Sequence, residues 1–168
     1  MKVLVKNEEI IEICKRIGKE LTERLKGKNP LVVGVLKGAC PFHSELIKYI
    51  DLPLEIDYVQ ISSYCGTRSS GNINIKKDLD IDIDGRDVVI VEDVVDTGVT
   101  LNNLKKLLET RNPNSLIFVS LLDKPSKRDV TFEADYVGKV IDDYFVVGFG
   151  IDVDEKYRNL KDICIYEG

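Results

Sequence analysis

Histidine and cysteine are scarce in this sequence, and their placement excludes the sites that most often depend on them. His43 is the only histidine, so a histidine-rich metal site lacks its ligands and a catalytic triad would depend on His43 alone. No two cysteines form a Cys-x-x-Cys pair. The cysteines are therefore expected to be reduced thiols rather than zinc ligands or parts of a disulfide framework: Cys14, Cys40, Cys65 and Cys164.

The sequence also lacks an excess of positive charge and any long apolar run. Lysine and arginine number 24 against 29 aspartates and glutamates, and the net charge of −5 argues against nucleic-acid binding. No apolar run approaches the roughly 20 residues of a membrane-spanning helix, and the first residues lack the layout of a signal peptide. We therefore expect one soluble domain over residues 1–168, located in the cytoplasm, without a nucleic-acid or membrane partner.

Apolar runs alternate with helical patterns along the chain. Residues 31–36 (LVVGVL) form a run typical of a buried strand, and a helix is expected before it, from an N-cap at Asn7 to Gly27. Strands alternating with helices predict an α/β fold with a mainly parallel central sheet flanked by helices. Further strands are expected at residues 54–61, 88–91, 115–122, 135–141, 144–150 and 163–166.

The stretch at residues 87–108, DVVIVEDVVDTGVTLNNLKKLL, combines a strand, a turn and a helix. The strand is expected to end at Glu92 and Asp93, and a small, hydroxyl-rich turn follows at residues 96–100. Leucines at positions 101, 104, 107 and 108 then lie on one face of a helix. Backbone N–H groups of the turn and the positive end of the helix dipole converge at one place, so this unit is predicted to bind an anion.

This turn differs from two common nucleotide-binding loops. It lacks both the lysine-containing Gly-x-x-x-x-Gly-Lys-[Ser/Thr] pattern and the Gly-x-Gly-x-x-Gly pattern. The adjacent carboxylates before it would repel a phosphate, but they can accept hydrogen bonds from the 2′- and 3′-hydroxyls of a ribose. The pattern therefore predicts a ribose held by Glu92 and Asp93, with its 5′-phosphate in the turn.

The segment VIVEDVVDTGVTL resembles the phosphoribosyl-pyrophosphate signature of the type I phosphoribosyltransferases, and its Glu-Asp-x-x-Asp-Thr-Gly core is similar to the hypoxanthine-guanine branch. The resemblance extends, in matching order, to Lys37, Ser63-Tyr64, Lys124 and residues 144–158. It implies the type I phosphoribosyltransferase fold, with a small hood contributed by the N- and C-terminal segments and a flexible lid loop at about residues 62–75. Cys65 stands where glycine is usual in that lid. A homodimer or homotetramer is also implied.

The reaction implied by the resemblance is purine salvage. The 5-phosphoribosyl group of phosphoribosyl pyrophosphate is transferred to hypoxanthine or guanine, giving IMP or GMP and pyrophosphate. Magnesium is expected because the leaving pyrophosphate is highly charged. Asp96 is the expected catalytic residue, which takes or returns a proton at the purine N7. Lys124 is a donor only, so it favours a 6-oxo group over the 6-amino group of adenine.

The remaining site residues implied by the resemblance are grouped by the part of the substrates that they would contact. The ribose 5-phosphate residues are Glu92, Asp93, Asp96, Thr97, Gly98, Val99 and Thr100; the pyrophosphate residues are Lys37, Gly38 and Arg158. The lid residues are Ser63 and Tyr64; the purine residues are Lys124, Phe145, Val146 and Asp152; the metal residues are Glu92, Asp93 and Asp152. Phe145 also fits an alternative role as a core residue of a strand. Lys37 fits an alternative role as a solvated lysine.

Several other functions fit parts of the pattern. A non-catalytic, nucleotide-binding regulator of the same fold is an alternative, although Asp96 and the acidic balance argue against it. The Asp-Thr-Gly triplet also occurs in aspartic proteases, but those enzymes need two such acids in an all-β setting. A receiver domain would carry its acids after the first strand. Within the enzyme class, preference for xanthine or use of orotate stays open.

Overall fold

The computed structural model describes residues 1–63, without the side chain of Ser63, and residues 73–168. The first part of the chain contains β1 (Lys2–Val5), α1 (Asn7–Arg24), β2 (Leu31–Leu36), α2 (Cys40–Leu46), β3 (Glu55–Ser63) and β4 (Ile73–Lys77). The second part contains β5 (Asp87–Val95), α3 (Val99–Glu109), β6 (Ser115–Asp123), β7 (Tyr136–Val140), β8 (Val146–Val147) and β9 (Ile163–Ile165). Short 3-10 turns follow α2 (Ile47–Tyr49) and β6 (Pro125–Lys127).

The central sheet has the strand order β4-β3-β2-β5-β6-β7. Neighbouring strands in the series β3-β2-β5-β6-β7 pair in parallel, and β4 pairs with β3 in the antiparallel sense. The predicted mainly parallel sheet is therefore confirmed. Because β5 lies between β2 and β6, the carboxyl ends of these three strands meet at one edge, where ligands of open α/β sheets bind.

Both faces of the sheet are covered, which explains the unbroken apolar run in β5. Val89 and Val91 pack in the cluster that contains the buried face of α1, whereas Val88 and Ile90 pack in the cluster that contains α3. All four side chains are fully buried. Fully burying an apolar side chain of this size stabilises a fold by about 1.5–3 kcal/mol, so β5 is a strongly anchored platform for the turn that follows it.

β5 is longer than the sequence predicts, and this changes the position of the two acids. The strand continues to Val95 because its register with β6 continues, with Glu92 opposite Ser120 and Val95 opposite Asp123. The prediction that the strand ends at Glu92 and Asp93 is therefore wrong. These acids lie within the strand, and the turn begins after them.

The two ends of the chain form a small antiparallel sheet of order β1-β9-β8. These are the segments to which the resemblance assigns the hood. The predicted N-cap at Asn7 is wrong, because Asn7 is the first residue of α1. Its backbone N–H donates instead to Oδ1 of Asp162 at 2.8 Å, so a carboxylate from the far end of the chain stabilises the start of this helix.

The predicted lid range overlaps two strands. Ser62 and Ser63 end β3, where they pair with Asn74 and Ile73 of β4. The ends of the range at residues 62–75 are thus paired strand, and Tyr64 and Cys65 lie outside the described residues. The prediction for 144–150 is also too long, because β8 covers Val146–Val147 only.

His43 is a core residue on α2 and is fully buried. Its Nε2 atom lies 3.0 Å from the carbonyl oxygen of Val32, and its ring packs 4.9 Å from that of Tyr58. Burial lowers the pKa of His43, so the ring is neutral near pH 7. Among the helices of the described ranges, none combines the length and the apolar content needed to cross a bilayer.

Candidate active site

The turn between β5 and α3 borders a cavity of about 220 Å³ at the carboxyl edge of the sheet. Gly98 has a φ of +79°, a conformation that only glycine adopts without strain, and a Cβ there would lie 2.9 Å from Cδ of Arg128. Val99, also predicted for this site, is exposed in the first turn of α3. The structure thus brings five of the seven residues predicted for the ribose 5-phosphate around this cavity, whereas Asp93 and Val99 are not among its lining residues. The lining residues are Glu92, Val94, Val95, Asp96, Thr97, Gly98, Thr100 and Leu101.

The peptide groups of this turn have a fixed orientation. The carbonyl oxygens of Val95, Asp96 and Thr97 accept hydrogen bonds from Lys124 N–H (3.0 Å), Arg128 Nη1 (2.7 Å) and Asp129 N–H (2.9 Å). In a trans peptide the next N–H points opposite to the carbonyl. The N–H groups at positions 96–98 are therefore turned away from the segment at residues 124–129.

Asp96 and Lys124 form an ion pair beside this cavity. Nζ of Lys124 lies 3.0 Å from Oδ1 of Asp96, and the lysine side chain is only 6% exposed. Oδ1 is buried but has no partner with hydrogen-bond geometry, whereas the Asp96 side chain as a whole is 47% exposed. The contact is therefore an ion pair rather than a directed hydrogen bond. It leaves part of the carboxylate open to a ligand.

The turn at Lys37 and Gly38 packs against Asp93 without free space. A Cβ at Gly38 would collide with Oδ2 of Asp93, and one at Gly150 would collide with the carbonyl oxygen of Gly38. The two glycines therefore allow a close approach of backbone and carboxylate that no other residue permits. The sequence analysis did not find the role of Gly150, because a close approach between distant segments leaves no local pattern.

Lys37, Asp152 and Arg158 meet in one ion-pair cluster around Glu155. Glu155 lies 2.9 Å from Nζ of Lys37 and 3.2 Å from Nη2 of Arg158, and Nη1 of Arg158 lies 3.1 Å from Asp152. The same Nη1 donates to the carbonyl oxygen of Gly150 at 2.7 Å. The hydrogen bond from Lys37 lowers the pKa of Glu155 below its ordinary value, and the charge of Arg158 lowers it further. Glu155 was not predicted as a site residue.

Glu92 and Asp93 form a pair of half-buried carboxyl groups that link the turn to this cluster. Burial, and secondarily the charge of Asp93, raise the pKa of Glu92 well above its ordinary value. Burial also raises the pKa of Asp93, while hydrogen bonds and the charge of Arg158 oppose that rise. Arg158 thus offsets only part of the cost of burying these adjacent acids. Donors from a sugar diol or a bound cation would supply the missing compensation.

The described residues contain no group of three or more histidine, cysteine or acidic side chains that could hold a metal ion. Glu92 and Asp93 are adjacent, but Asp152 is engaged by Arg158 and by the N–H of Glu155 (2.9 Å). This donor set suits Mg²⁺, which proteins bind through one or two carboxylates with water and substrate phosphates. It does not suit a metal that needs a full protein cage.

Phe145 presents an aromatic surface to solvent and is 59% exposed. Its ring packs 5.8 Å from that of Tyr166, which packs 5.7 Å from Tyr157. The alternative role of Phe145 as a core residue is therefore wrong, and the ring is available to stack on a planar ligand. Val146, the next residue, is buried in β8. Lys37 pairs with Glu155, but its side chain is 54% exposed, so its alternative role as a solvated lysine stays a prediction.

Two of the buried side-chain atoms without a hydrogen-bond partner in the described part of the chain belong to this site. They are Oδ1 of Asp96 and Nε of Arg158, and the third is Nδ1 of His43 in the core. Buried polar atoms are nearly always paired in folded proteins. Oδ1 of Asp96 still has the ammonium of Lys124 as its ionic partner, so Nε of Arg158 is the atom of this site whose bonding a ligand would complete.

Comparison with known proteins agrees with this geometry. The family model described as phosphoribosyl transferase domain matches residues 2–154. A hypoxanthine-guanine phosphoribosyltransferase of Lactococcus lactis subsp. lactis is 54% identical over 160 residues, which are 95% of this chain and 87% of that protein. The crystal structure of a hypoxanthine phosphoribosyltransferase from Staphylococcus aureus has a TM-score of 0.95 at 48% identity, covering 99% of this chain and 91% of that one.

A longer relative also matches. The bifunctional protein TilS/HprT of Listeria innocua is 52% identical over 165 residues, which are 98% of this chain, but this chain spans only 26% of the length of that protein. The likeness to the solved structure confirms the predicted type I phosphoribosyltransferase fold. The chain belongs to the phosphoribosyltransferase family, and within it to the hypoxanthine-guanine phosphoribosyltransferases.

Proposed function

We propose that this chain transfers the 5-phosphoribosyl group of phosphoribosyl pyrophosphate to a 6-oxopurine, hypoxanthine or guanine, and releases pyrophosphate. The observation that carries the proposal is the buried Lys124, 3.0 Å from Asp96, beside the cavity of the β5–α3 turn. The turn offers N–H donors to a phosphate, and Lys124 offers an ammonium donor to a 6-oxo group. One nucleoside monophosphate would satisfy both sites.

The residues divide the work on the two substrates. The turn holds the 5′-phosphate, and Glu92 and Asp93 accept hydrogen bonds from the ribose hydroxyls. Lys37 and Arg158 bind the departing pyrophosphate, which gives Nε of Arg158 the acceptor that it lacks. Phe145 stacks on the base, Val146 contributes backbone atoms to its edge, and Asp96 moves the proton at N7.

We further propose Mg²⁺ as the cofactor. Glu92, Asp93 and Asp152 are the carboxylates that would orient it, in part through water. When bound, it neutralises charge on the pyrophosphate leaving group. Loss of that group leaves a positively charged sugar carbon, as in glycoside chemistry. Water would compete for this carbon, so a lid formed by the segment that includes Ser63 and Tyr64 is part of the proposal. A homodimer or homotetramer is a further expectation, which light scattering would test.

A substrate panel tests the proposal. The protein is incubated with Mg²⁺, phosphoribosyl pyrophosphate and one of hypoxanthine, guanine, xanthine or adenine, and nucleotide formation is followed by absorbance. We expect IMP and GMP to form and adenine to be a poor substrate, because Lys124 has no acceptor for a 6-amino group. Xanthine as the preferred base would favour the alternative within the family, and no product from either hypoxanthine or guanine would overturn the assignment.

Glu155 makes a second prediction possible. Its carboxylate pairs with Lys37 and Arg158, the two cations assigned to pyrophosphate, and so it competes with that ligand. We expect Glu155→Gln to tighten binding of magnesium pyrophosphate by about 2- to 10-fold, the size expected for two exposed ion pairs. Isothermal titration calorimetry measures this. The control is Glu9→Gln, which breaks an exposed ion pair between Glu9 on α1 and Lys139 on β7. It should leave the affinity for magnesium pyrophosphate unchanged. If the Glu155 variant bound magnesium pyrophosphate as tightly as wild type or more weakly, Glu155 would not compete with this ligand.

A further inference from the structure

Arg128 is a loop residue outside the predicted site, yet its guanidinium is held at three points beneath the β5–α3 turn. Nη1 donates to the carbonyl oxygen of Asp96 at 2.7 Å, Nε donates to that of Phe132 at 2.9 Å, and Nη2 donates to Oδ1 of Asp123 at 2.5 Å. The arginine side chain is 14% exposed and that of Asp123 is 11% exposed. The fork is therefore shielded and oriented by its neighbours.

These bonds act on the peptide that joins Asp96 to Thr97. The carbonyl of that peptide points at Arg128, so its N–H points the other way, and Gly98 packs directly on the arginine stem. The side chain of Asp96 starts from the same peptide and reaches Lys124. One guanidinium thus sets the direction of a turn donor and the starting point of the Asp96 carboxylate.

We propose that Arg128 is a positioning residue that fixes the Asp96–Thr97 peptide so that the turn presents its N–H groups to the 5′-phosphate of the nucleotide. Asp123 supports this role by orienting the guanidinium. The inference rests on the proposed function, because it requires a phosphate in this turn. It adds a residue that touches no substrate and acts through the backbone.

Arg128→Lys separates this role from a general effect on folding. An ammonium group can replace one of the three bonds but cannot reproduce the planar fork. We expect the affinity for IMP to fall by about 10- to 100-fold, the factor that one or two charged hydrogen bonds contribute. The affinity for inosine, which has no phosphate, should stay within about 2-fold of wild type, since of its contacts only the one with Asp96 starts from the peptide that Arg128 holds. Both affinities are measured by calorimetry, and thermal unfolding reports whether the variant is folded.

Arg111→Lys is the matched control, because Arg111 makes a two-point contact with Asp78 (2.7 and 2.8 Å) at the C-terminal end of α3. It should leave both affinities unchanged. If Arg128→Lys does not fold, Asp123→Asn keeps the guanidinium and removes its orienting charge, and a selective loss of IMP affinity is expected again. Equal weakening of IMP and inosine, or no weakening of either, would overturn the inference. Failure of the wild type to prefer IMP over inosine would instead contradict the proposed function.

Discussion

Replacing Asp96 with asparagine is expected to lower kcat by about 10²-fold or more, the usual contribution of acid–base catalysis. Asparagine keeps the size of the side chain and an oxygen for the contact with Lys124, which is 3.0 Å away in the native protein. It cannot take a proton from the purine N7 or return one. The KM for phosphoribosyl pyrophosphate should change little, because the turn donors belong to the backbone.

The control for this variant is Asp143→Asn. Asp143 lies 3.3 Å from Lys127 in an exposed pair of the same two residue types, so the substitution removes the same charge nearby. Steady-state kinetics with hypoxanthine at saturating phosphoribosyl pyrophosphate measures both variants. An Asp96→Asn enzyme with native kcat would show that another group moves the proton.

Replacing Lys124 with methionine should remove most of the selectivity for 6-oxopurines. The methionine side chain is similar in length but carries no donor, so the 6-oxo group loses a charged hydrogen bond inside a shielded pocket. Such bonds contribute about 1.5–3 kcal/mol, which corresponds to a loss of about 10- to 150-fold in kcat/KM for hypoxanthine and guanine. Adenine never had this bond, so its kcat/KM should fall much less. The ratio of hypoxanthine to adenine turnover is therefore the diagnostic quantity.

Lys127→Met controls for the loss of a lysine in the same loop, because Lys127 is 41% exposed and pairs with Asp143. It should keep native kinetics with every base. If Lys124→Met reduced hypoxanthine and adenine use by the same factor, Lys124 would only support the structure of the pocket. The assignment of base selectivity to this residue would then be wrong.

Local patterns in the sequence predicted the sheet and the main turn well. An apolar run with no polar position, such as residues 88–91, requires a strand covered on both faces, and the structure has α1 and α3 on the two sides of β5. A glycine that follows a threonine and precedes a leucine-faced helix also carries a local signal, and Gly98 has the left-handed conformation that glycine favours. These features depend on residues that are neighbours along the chain.

Features that depend on distant segments escaped prediction. The start of α1 is stabilised by Asp162 rather than by Asn7, and Glu155 lies between cations that follow different strands. Arg128 acts through the backbone carbonyl of Asp96, which is 32 positions away along the chain. An arginine or a glutamate in a loop has the same local appearance whether it is solvated or buried beneath a site. Only the folded chain distinguishes these cases.

A crystal structure with bound IMP tests the central claim most directly, namely that the β5–α3 turn grips the 5′-phosphate. We predict phosphate oxygens at hydrogen-bond distance from backbone N–H groups of the turn, ribose hydroxyls at Glu92 and Asp93, and the 6-oxo group at Nζ of Lys124. Phosphate bound instead at the Lys37–Arg158 cluster, with the turn empty, would contradict the account.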